Sequence, residues 1–377
     1  MLNTTIRELA RFGQSIWLDN INRAMINNGQ LSKMIEQGLL GMTSNPTIFE
    51  KAISGSADYD EKIEELCHKY ESTFDIYDDL TIRDIQDAAD MFLPVYQSTK
   101  YLDGYVSLEI NPKLAYKTQE TIEEGKRLYE KVNRPNVMFK VPATREGFDA
   151  IEELLSCGIN VNTTLIFSLQ QYIDTAQAYL RGIKRFIKSG GDASKAYSVA
   201  SVFISRIDTA VDKMLESSIT KVSGQKEDRL KKLMGKAAVA NTHLIYARFL
   251  DIFSSKEFKK LESKGANIQR VLWGSTSTKN PAYSDIKYVT ELIGKNSVNT
   301  VPLSTFEAFL DHGQVKEALS DDASWAEDVV LALREIGIDI NEVCTKLLRE
   351  GVIAFENSFI SLLQTIGSKQ ERICPRA

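Results

Sequence analysis

Histidine is close to absent. His68, His243 and His312 are the only three among 377 residues, which deprives the chain of the usual ligands for zinc and for a facial-triad iron. The four cysteines (Cys67, Cys157, Cys344 and Cys374) are scattered, with no CxxC pair. That usage suits free thiols in a reducing cytosol and predicts a cytoplasmic protein. Long apolar runs are missing too. Val329–Leu333 and Val352–Phe355 fall far short of the ~18 residues that read as a membrane span. The opening Met-Leu-Asn-Thr-Thr-Ile-Arg-Glu carries an acid early and no apolar core, so no signal peptide is expected. Nor is there an excess of positive charge. Lys and Arg number 46 against 51 Asp and Glu, a net charge of −5, so no global basic field exists to hold nucleic acid or an anionic membrane. What remains is ordinary globular material, 43% hydrophobic and 26% charged.

Short β-rich runs alternate with long helix-period segments. The runs are Ser15–Asp19, Gly41–Asn45, Tyr105–Ile110, Val137–Pro142, Ile159–Phe167, Ser198–Ser205, Val271–Ser275 and Ser297–Pro302. Amphipathic stretches lie between them, for example Gly147–Ser156, Leu169–Ser189 and Lys226–Phe253. Such alternation predicts βαβ units and a parallel sheet. A doubly wound nucleotide fold would carry a glycine-rich turn after its first strand. Here Asn20-Ile21-Asn22-Arg23 follows, with no GxGxxG nearby. Eight units fit a (β/α)8 barrel, the TIM-barrel architecture. Two regions exceed a minimal barrel: a helical insertion of two or three helices around residues 59–96, and a C-terminal helical extension from 313 to 377, ending in the short basic Lys369-Gln370-Glu371-Arg372. The simplest organisation is one domain, with the barrel and its insertion over 1–312 and the C-terminal helices packed on it.

Side chains along a strand alternate between faces, and in a barrel one face points into the interior. In Val137-Met138-Phe139-Lys140-Val141-Pro142, an outward apolar face of Val137, Phe139 and Val141 turns Lys140 inward, late in the strand. The same alternation sends Ser107 and Glu109 inward from the third strand and Asp19 from the first. It also sends Asn160, Asn162 and Thr164 inward from the fifth. Asn45 closes the second strand before Pro46, which favours an extended or turn conformation there. The convergent set is Asp19, Asn45, Glu109, Lys140, Asn162 and Thr164. An ion pair of Lys140 with Asp19 or Glu109, merely plugging the barrel, is the plain alternative. It leaves two amides and a hydroxyl around one amine without a purpose.

The set lacks histidine and holds one amine among carboxylates. Asp19, Glu109 and Asn45 could ligate magnesium through oxygen, but Lys140 in the same pocket would repel the cation. A desolvated lysine is instead the arrangement for Schiff-base chemistry on a carbonyl. Burial disfavours its ammonium form and adjacent carboxylates restore it, so at least one carboxylate should bond to amides or water instead of pairing tightly with the amine. Further along, Arg206 follows the sixth strand, and Lys279 follows the seventh within Gly274-Ser275-Thr276-Ser277-Thr278-Lys279. Hydroxyls and backbone N–H groups beside cations make a phosphate cradle at a position where barrels often hold phosphate. The alternative for Arg206 is a pair with Asp208 or Asp212.

Three motifs carry a resemblance to a known family: Thr43-Ser44-Asn45-Pro46-Thr47, Phe139-Lys140-Val141-Pro142-Ala143-Thr144-Arg145-Glu146-Gly147, and Gly158-Ile159-Asn160-Val161-Asn162-Thr163-Thr164-Leu165-Ile166-Phe167-Ser168. With their mutual spacing, the chain resembles the transaldolases, Schiff-base enzymes of the non-oxidative pentose phosphate pathway, from about Gln14 to Asp311. It is most similar to the longer bacterial type. The resemblance implies transfer of a dihydroxyacetone unit from sedoheptulose 7-phosphate or fructose 6-phosphate to glyceraldehyde 3-phosphate or erythrose 4-phosphate, with neither metal nor dissociable cofactor. It implies Lys140 as the Schiff-base lysine, Asp19 as the base at the C4 hydroxyl, and Glu109 with a water held by Thr164 as the proton shuttle. Asn45, Asn162 and Ser201 would hold the three-carbon unit, and Arg206, Ser277 and Lys279 the phosphate. Lysine at 279 replaces the family's usual arginine, exchanging a bidentate fork for a point charge. The family's Gly before the first arginine is Ser205 here, and its Pro after the pocket serine is Val202. The competing readings are a dihydroxyacetone-releasing aldolase on the same scaffold and a non-catalytic sugar-phosphate-binding barrel. Sugar phosphates are the expected partners, and a monomer or homodimer the expected assembly.

Overall fold

Eight short parallel strands close on one another in sequence order: β1 (Gln14–Asp19), β2 (Gly41–Thr43), β3 (Tyr105–Glu109), β4 (Val137–Pro142), β5 (Val161–Ile166), β6 (Ser198–Phe203), β7 (Arg270–Gly274) and β8 (Ser297–Val301). β8 pairs back onto β1, with Gln14 opposite Ser297. This is the (β/α)8 barrel expected from the alternation, seen in a computed structural model that describes residues 3–375. Among those residues no helix is long and apolar enough to cross a membrane.

The two-residue period divides most of the strands between two cores. Val106, Leu108, Val137, Phe139, Val141 and Val161 belong to the main core, with residues of the surrounding helices. Trp17, Tyr105, Met138, Val199, Leu272 and Val298 form a separate cluster inside the barrel, joined by Tyr96 and Tyr197. One period further along the same strands stand Asp19, Ser107, Lys140, Ser201 and Thr300, so apolar residues fill the lower barrel and polar ones its upper end. The floor below is polar and closed. Arg270 pairs with Asp103 at 3.0 Å, and Asp103 also accepts from Trp17 Nε1 at 3.0 Å and Ser15 Oγ at 2.8 Å.

Gly41 makes room for this filling. A Cβ there would lie 2.7 Å from the indole carbons of Trp17, a buried ring fastened to Asp103 that cannot swing aside. Gly41→Ala is therefore expected to cost about 1–3 kcal/mol through overpacking, read as a lower midpoint in urea denaturation with the slope unchanged.

Several boundaries differ from the sequence expectation. β2 ends at Thr43, because Asn45 serves as N-cap of a helix (Pro46–Ser54) and accepts from Ile48 N at 3.0 Å. β6 ends at Phe203, because Ser205 already begins the helix Ser205–Ile219. The single amphipathic stretch expected over Lys226–Phe253 is two helices, Gln225–Leu233 and Ala237–Ser254. Gly235, at φ +65°, breaks it, and the carboxylates of Asp212 and Asp208 accept from Gly235 N and Ala238 N at the start of the second helix. The insertion contributes Asp60–Cys67 and Thr73–Ser98, the latter running through Pro94.

After β8 come Leu303–His312, Ser324–Glu335 and the 34-residue helix Ile340–Ile373. The short basic segment Lys369–Arg372 is the last part of that long helix, not a free tail, and both Lys369 and Arg372 pair with Asp60 of the insertion. The long helix also packs on Pro46–Ser54, Thr73–Ser98, Ser205–Ile219 and β5. It therefore crosses the end of the barrel where the polar side chains emerge.

Candidate active site

Strand register assembles the site. Glu109 is opposite Lys140 in the β3–β4 pair, and Lys140 opposite Asn162 in the β4–β5 pair. Residues matched across parallel strands share a face, so a carboxylate, an amine and an amide stand side by side in the interior. Asp19 is matched with Thr43 across β1 and β2. Lys140 is 4% exposed and Glu109 6%. The Lys140 ammonium lies 2.9 Å from Glu109 Oε2 and donates to the Ser44 carbonyl at 3.0 Å. Of the two ion pairs weighed from the sequence, the one with Glu109 is present.

Asp19 is held differently. Its Oδ1 accepts from the Thr43 hydroxyl at 2.8 Å, and Thr43 shares a second hydrogen bond of 2.8 Å with Thr300. The carboxylate not paired with the amine is thus bonded to a hydroxyl, where amides or water were expected. Burial pushes the Asp19 carboxyl above the ordinary carboxylate range, against the lowering effects of the Lys140 charge and the Thr43 bond. Burial raises Glu109 as well, against Lys140, while the charge of Asp19 adds to the rise. Among the described residues no group of three or more His, Cys, Asp and Glu converges as a metal site would require.

A cavity of about 400 Å³ opens above these groups. Of the residues singled out from the sequence, Asp19, Asn45, Lys140, Thr164, Ser201, Arg206, Ser277 and Lys279 line it. Glu109 and Asn162 do not. Glu109 stands against Lys140, and Asn162 is fully buried behind Ser201, accepting from Ser201 Oγ at 2.6 Å and donating to Ser107 Oγ at 3.0 Å. Asn45 spends its carbonyl oxygen on the helix cap, leaving its amide nitrogen as the donor at the cavity. The Thr164 hydroxyl is buried without a hydrogen-bond partner in the protein. Just beyond it Leu165 takes φ +58° at a bulge in β5 and packs against Gly351 of the long C-terminal helix, a backbone conformation uncommon outside glycine.

Arg206 does not pair with Asp208 or Asp212. Those carboxylates are taken by Tyr288 and Tyr283, and the guanidinium lies over the Phe203 ring at 5.7 Å. Desolvation lowers the pKa of Arg206, as expected for a cation left half-buried beside an open cavity. Lys51, Lys140, Arg206 and Lys279 line the cavity together with a single carboxylate, Asp19, so the site favours an anionic ligand.

Sequence reasoning missed Thr43, Thr300, Lys51 and Phe355. The first two were within reach, since the alternation that turned Asp19 inward also turns Thr43 inward from Gly41 and Thr300 from Val298. Phe355 comes from the C-terminal helix and sits with its ring 5.7 Å from Lys140 Nζ. No local pattern announces it.

The whole-chain comparison decides the family. A model of the transaldolase/fructose-6-phosphate aldolase family matches residues 16–366. The chain belongs to this family. The match runs past Asp311, where the motif resemblance stops, and takes in most of the C-terminal helices. Similar relatives include a transaldolase of Trichodesmium erythraeum, 43% identical over the full length of both chains. A transaldolase of Saccharopolyspora erythraea is 45% identical over 97% of each. One of Neisseria gonorrhoeae is 41% identical over 96% of this chain and 99% of its own.

Proposed function

We propose that the protein is a transaldolase, a transferase that moves a dihydroxyacetone unit from a ketose phosphate to an aldose phosphate through a Schiff base on Lys140. The observation that carries this reading is a buried amine at the floor of an otherwise cationic cavity, 2.9 Å from a carboxylate on the neighbouring strand. Family membership and the relatives' names support it.

The chemistry follows from the geometry. Glu109, made more basic by burial, takes a proton from the Lys140 ammonium. The free amine adds to C2 of the ketose, and the C2 oxygen leaves as water after protonation, with Thr164 holding the water that relays protons to and from Glu109. In the resulting iminium, the C3–C4 electron pair moves toward nitrogen while Asp19 takes the C4 hydroxyl proton. An aldose phosphate departs and an enamine of dihydroxyacetone stays on Lys140. The second aldehyde accepts the enamine's electron pair, Asp19 returns its proton, and hydrolysis frees the new ketose. Asn45, Ser201 and, behind it, Asn162 hold the hydroxyls of the three-carbon unit. Arg206, Ser277 and Lys279 hold the phosphate.

Phe355 and the helix carrying it shield the enamine from premature protonation, which favours transfer over release. Scattered free thiols fit a cytoplasmic enzyme, acting on sugar phosphates as a monomer or homodimer. The barrel with its insertion, and the C-terminal helices across its mouth, form one domain in this reading.

Borohydride added in the presence of fructose 6-phosphate is expected to fix a three-carbon adduct on Lys140, located by peptide mass spectrometry. An unmodified Lys140 in an enzyme turning over fully would defeat the assignment. Free dihydroxyacetone accumulating without an acceptor would mark the aldolase reading instead.

A further inference from the structure

Behind the phosphate-facing side of the cavity lies a second polar cluster that the proposed chemistry does not use. Asp208 and Asp212 occur one turn apart on the helix Ser205–Ile219, whose first turn carries Arg206. Tyr288 donates to Asp208 Oδ2 at 2.7 Å and Tyr283 to Asp212 Oδ2 at 2.8 Å. The second oxygens accept from Ala238 N at 2.7 Å and Gly235 N at 2.9 Å. Each carboxylate therefore ties three segments together: its own helix, the segment after β7, and the start of the helix Ala237–Ser254.

We propose that these two tyrosine–aspartate clasps are positioning elements that set the spacing between Arg206 and Lys279, and through it the preference for phosphorylated over non-phosphorylated substrates. The inference rests on the phosphate role given to those two cations above.

Neither cation is held by a carboxylate of its own; Arg206 has only the face of Phe203 beneath it. Among the described residues no carboxylate lies within ion-pair distance of Arg206 or Lys279, so the backbone carrying each must define where its charge stands. Arg206 is carried by the first turn of its helix. Lys279 sits on the long connection after β7, and that connection is closed into a compact loop. The Thr278 hydroxyl donates to Ser284 O at 2.8 Å, Tyr283 N to Asn280 O at 3.1 Å, and Ala282 N to Asn280 Oδ1 at 2.9 Å. A shift of Tyr283 is thereby passed to Lys279, four residues earlier. At its root the loop is pinned to the Arg206 helix by Ser205 N donating to Ser275 O at 3.1 Å. The clasps supply the missing attachment at its far side. Gly235 opens the slot for one of them, since a Cβ there would lie 2.7 Å from the Tyr283 ring.

A purely stabilising role would be served better by apolar packing. Desolvation pushes Asp208 up to about 6, a cost that burying a carboxylate imposes and a leucine would not. What the carboxylates add is direction, because each fixes the position of a phenol hydroxyl and of a helix start.

The test uses Tyr283→Phe, Tyr288→Phe and the double variant, which keep the rings and remove only the hydroxyls. Transfer from fructose 6-phosphate is measured to erythrose 4-phosphate and, separately, to unphosphorylated erythrose. In the double variant kcat/KM for the phosphorylated acceptor is expected to fall about tenfold, mainly through KM, equivalent to about 1.4 kcal/mol. With erythrose it should be unchanged. Equal losses on both acceptors, or no loss on either, overturn the inference while leaving the proposed function standing. A wild-type enzyme with no preference for the phosphorylated acceptor overturns the phosphate role itself, and the inference with it.

Discussion

Lys140→Met is expected to lower the rate of dihydroxyacetone transfer by roughly 10⁴-fold or more, the scale on which removal of a covalent nucleophile acts. Methionine approximates the unbranched apolar stem of lysine but has no amine to add to a ketone. The substitution also strips Glu109 of the cation beside it, and breaking a buried pair on one side costs about 3–5 kcal/mol. Loss of activity in this variant alone could thus reflect loss of fold. Lys140→Arg separates the two effects. It keeps a positive charge facing Glu109, which the native ammonium meets at 2.9 Å, yet its guanidinium stays protonated and cannot form the imine. Both variants should be inactive in the coupled transfer assay, and Lys140→Arg should keep the melting temperature closer to wild type. Measurable turnover by Lys140→Arg would contradict a Schiff base at this position.

Asp19→Asn should reduce transfer by about 10²–10⁴-fold, the usual range for a general base, while leaving imine formation intact. The distinction is visible by borohydride trapping: dihydroxyacetone should still label Lys140 in the variant, because no C3–C4 bond needs to break. The pH profile gives a second signature. Burial raises the Asp19 carboxyl, and Lys140 and the Thr43 hydroxyl bring it part of the way back. A base must be ionised to work, so the acid limb of kcat/KM is expected above the ordinary carboxylate range, with activity lost as pH falls through it. Thr43→Val removes one of the groups favouring the ionised form and should move that limb to higher pH. A limb that stays in place would mean the titrating group is not Asp19.

Both predictions concern residues that are legible in the amino-acid sequence alone. Lys140, Glu109 and Asp19 stand out because strand alternation is local and strict, and a polar residue on the inward face breaks an otherwise apolar rule. All eight strands were recognisable for the same reason. Their ends were less so. Asn45 and Ser205 read as strand continuations but belong to helix starts, where a cap or a first turn outweighs β-propensity. The split of Lys226–Phe253 at Gly235 depends on carboxylates from another helix and on a tyrosine about fifty residues further along the chain. Phe355 reaches Lys140 only because the last helix folds back across the barrel. Contacts of this range are set by tertiary packing and leave no periodic trace in the chain.

The closed floor of Arg270, Asp103 and Trp17 has one more consequence. With indole and tyrosine filling the tube beneath the amine, the cavity does not run on through the barrel and opens at the end that the last helix crosses. The first aldehyde released must leave by the route the second will use, past the last helix. On the proposed mechanism the two exchange in turn, while the carbon fragment waits between visits on Lys140.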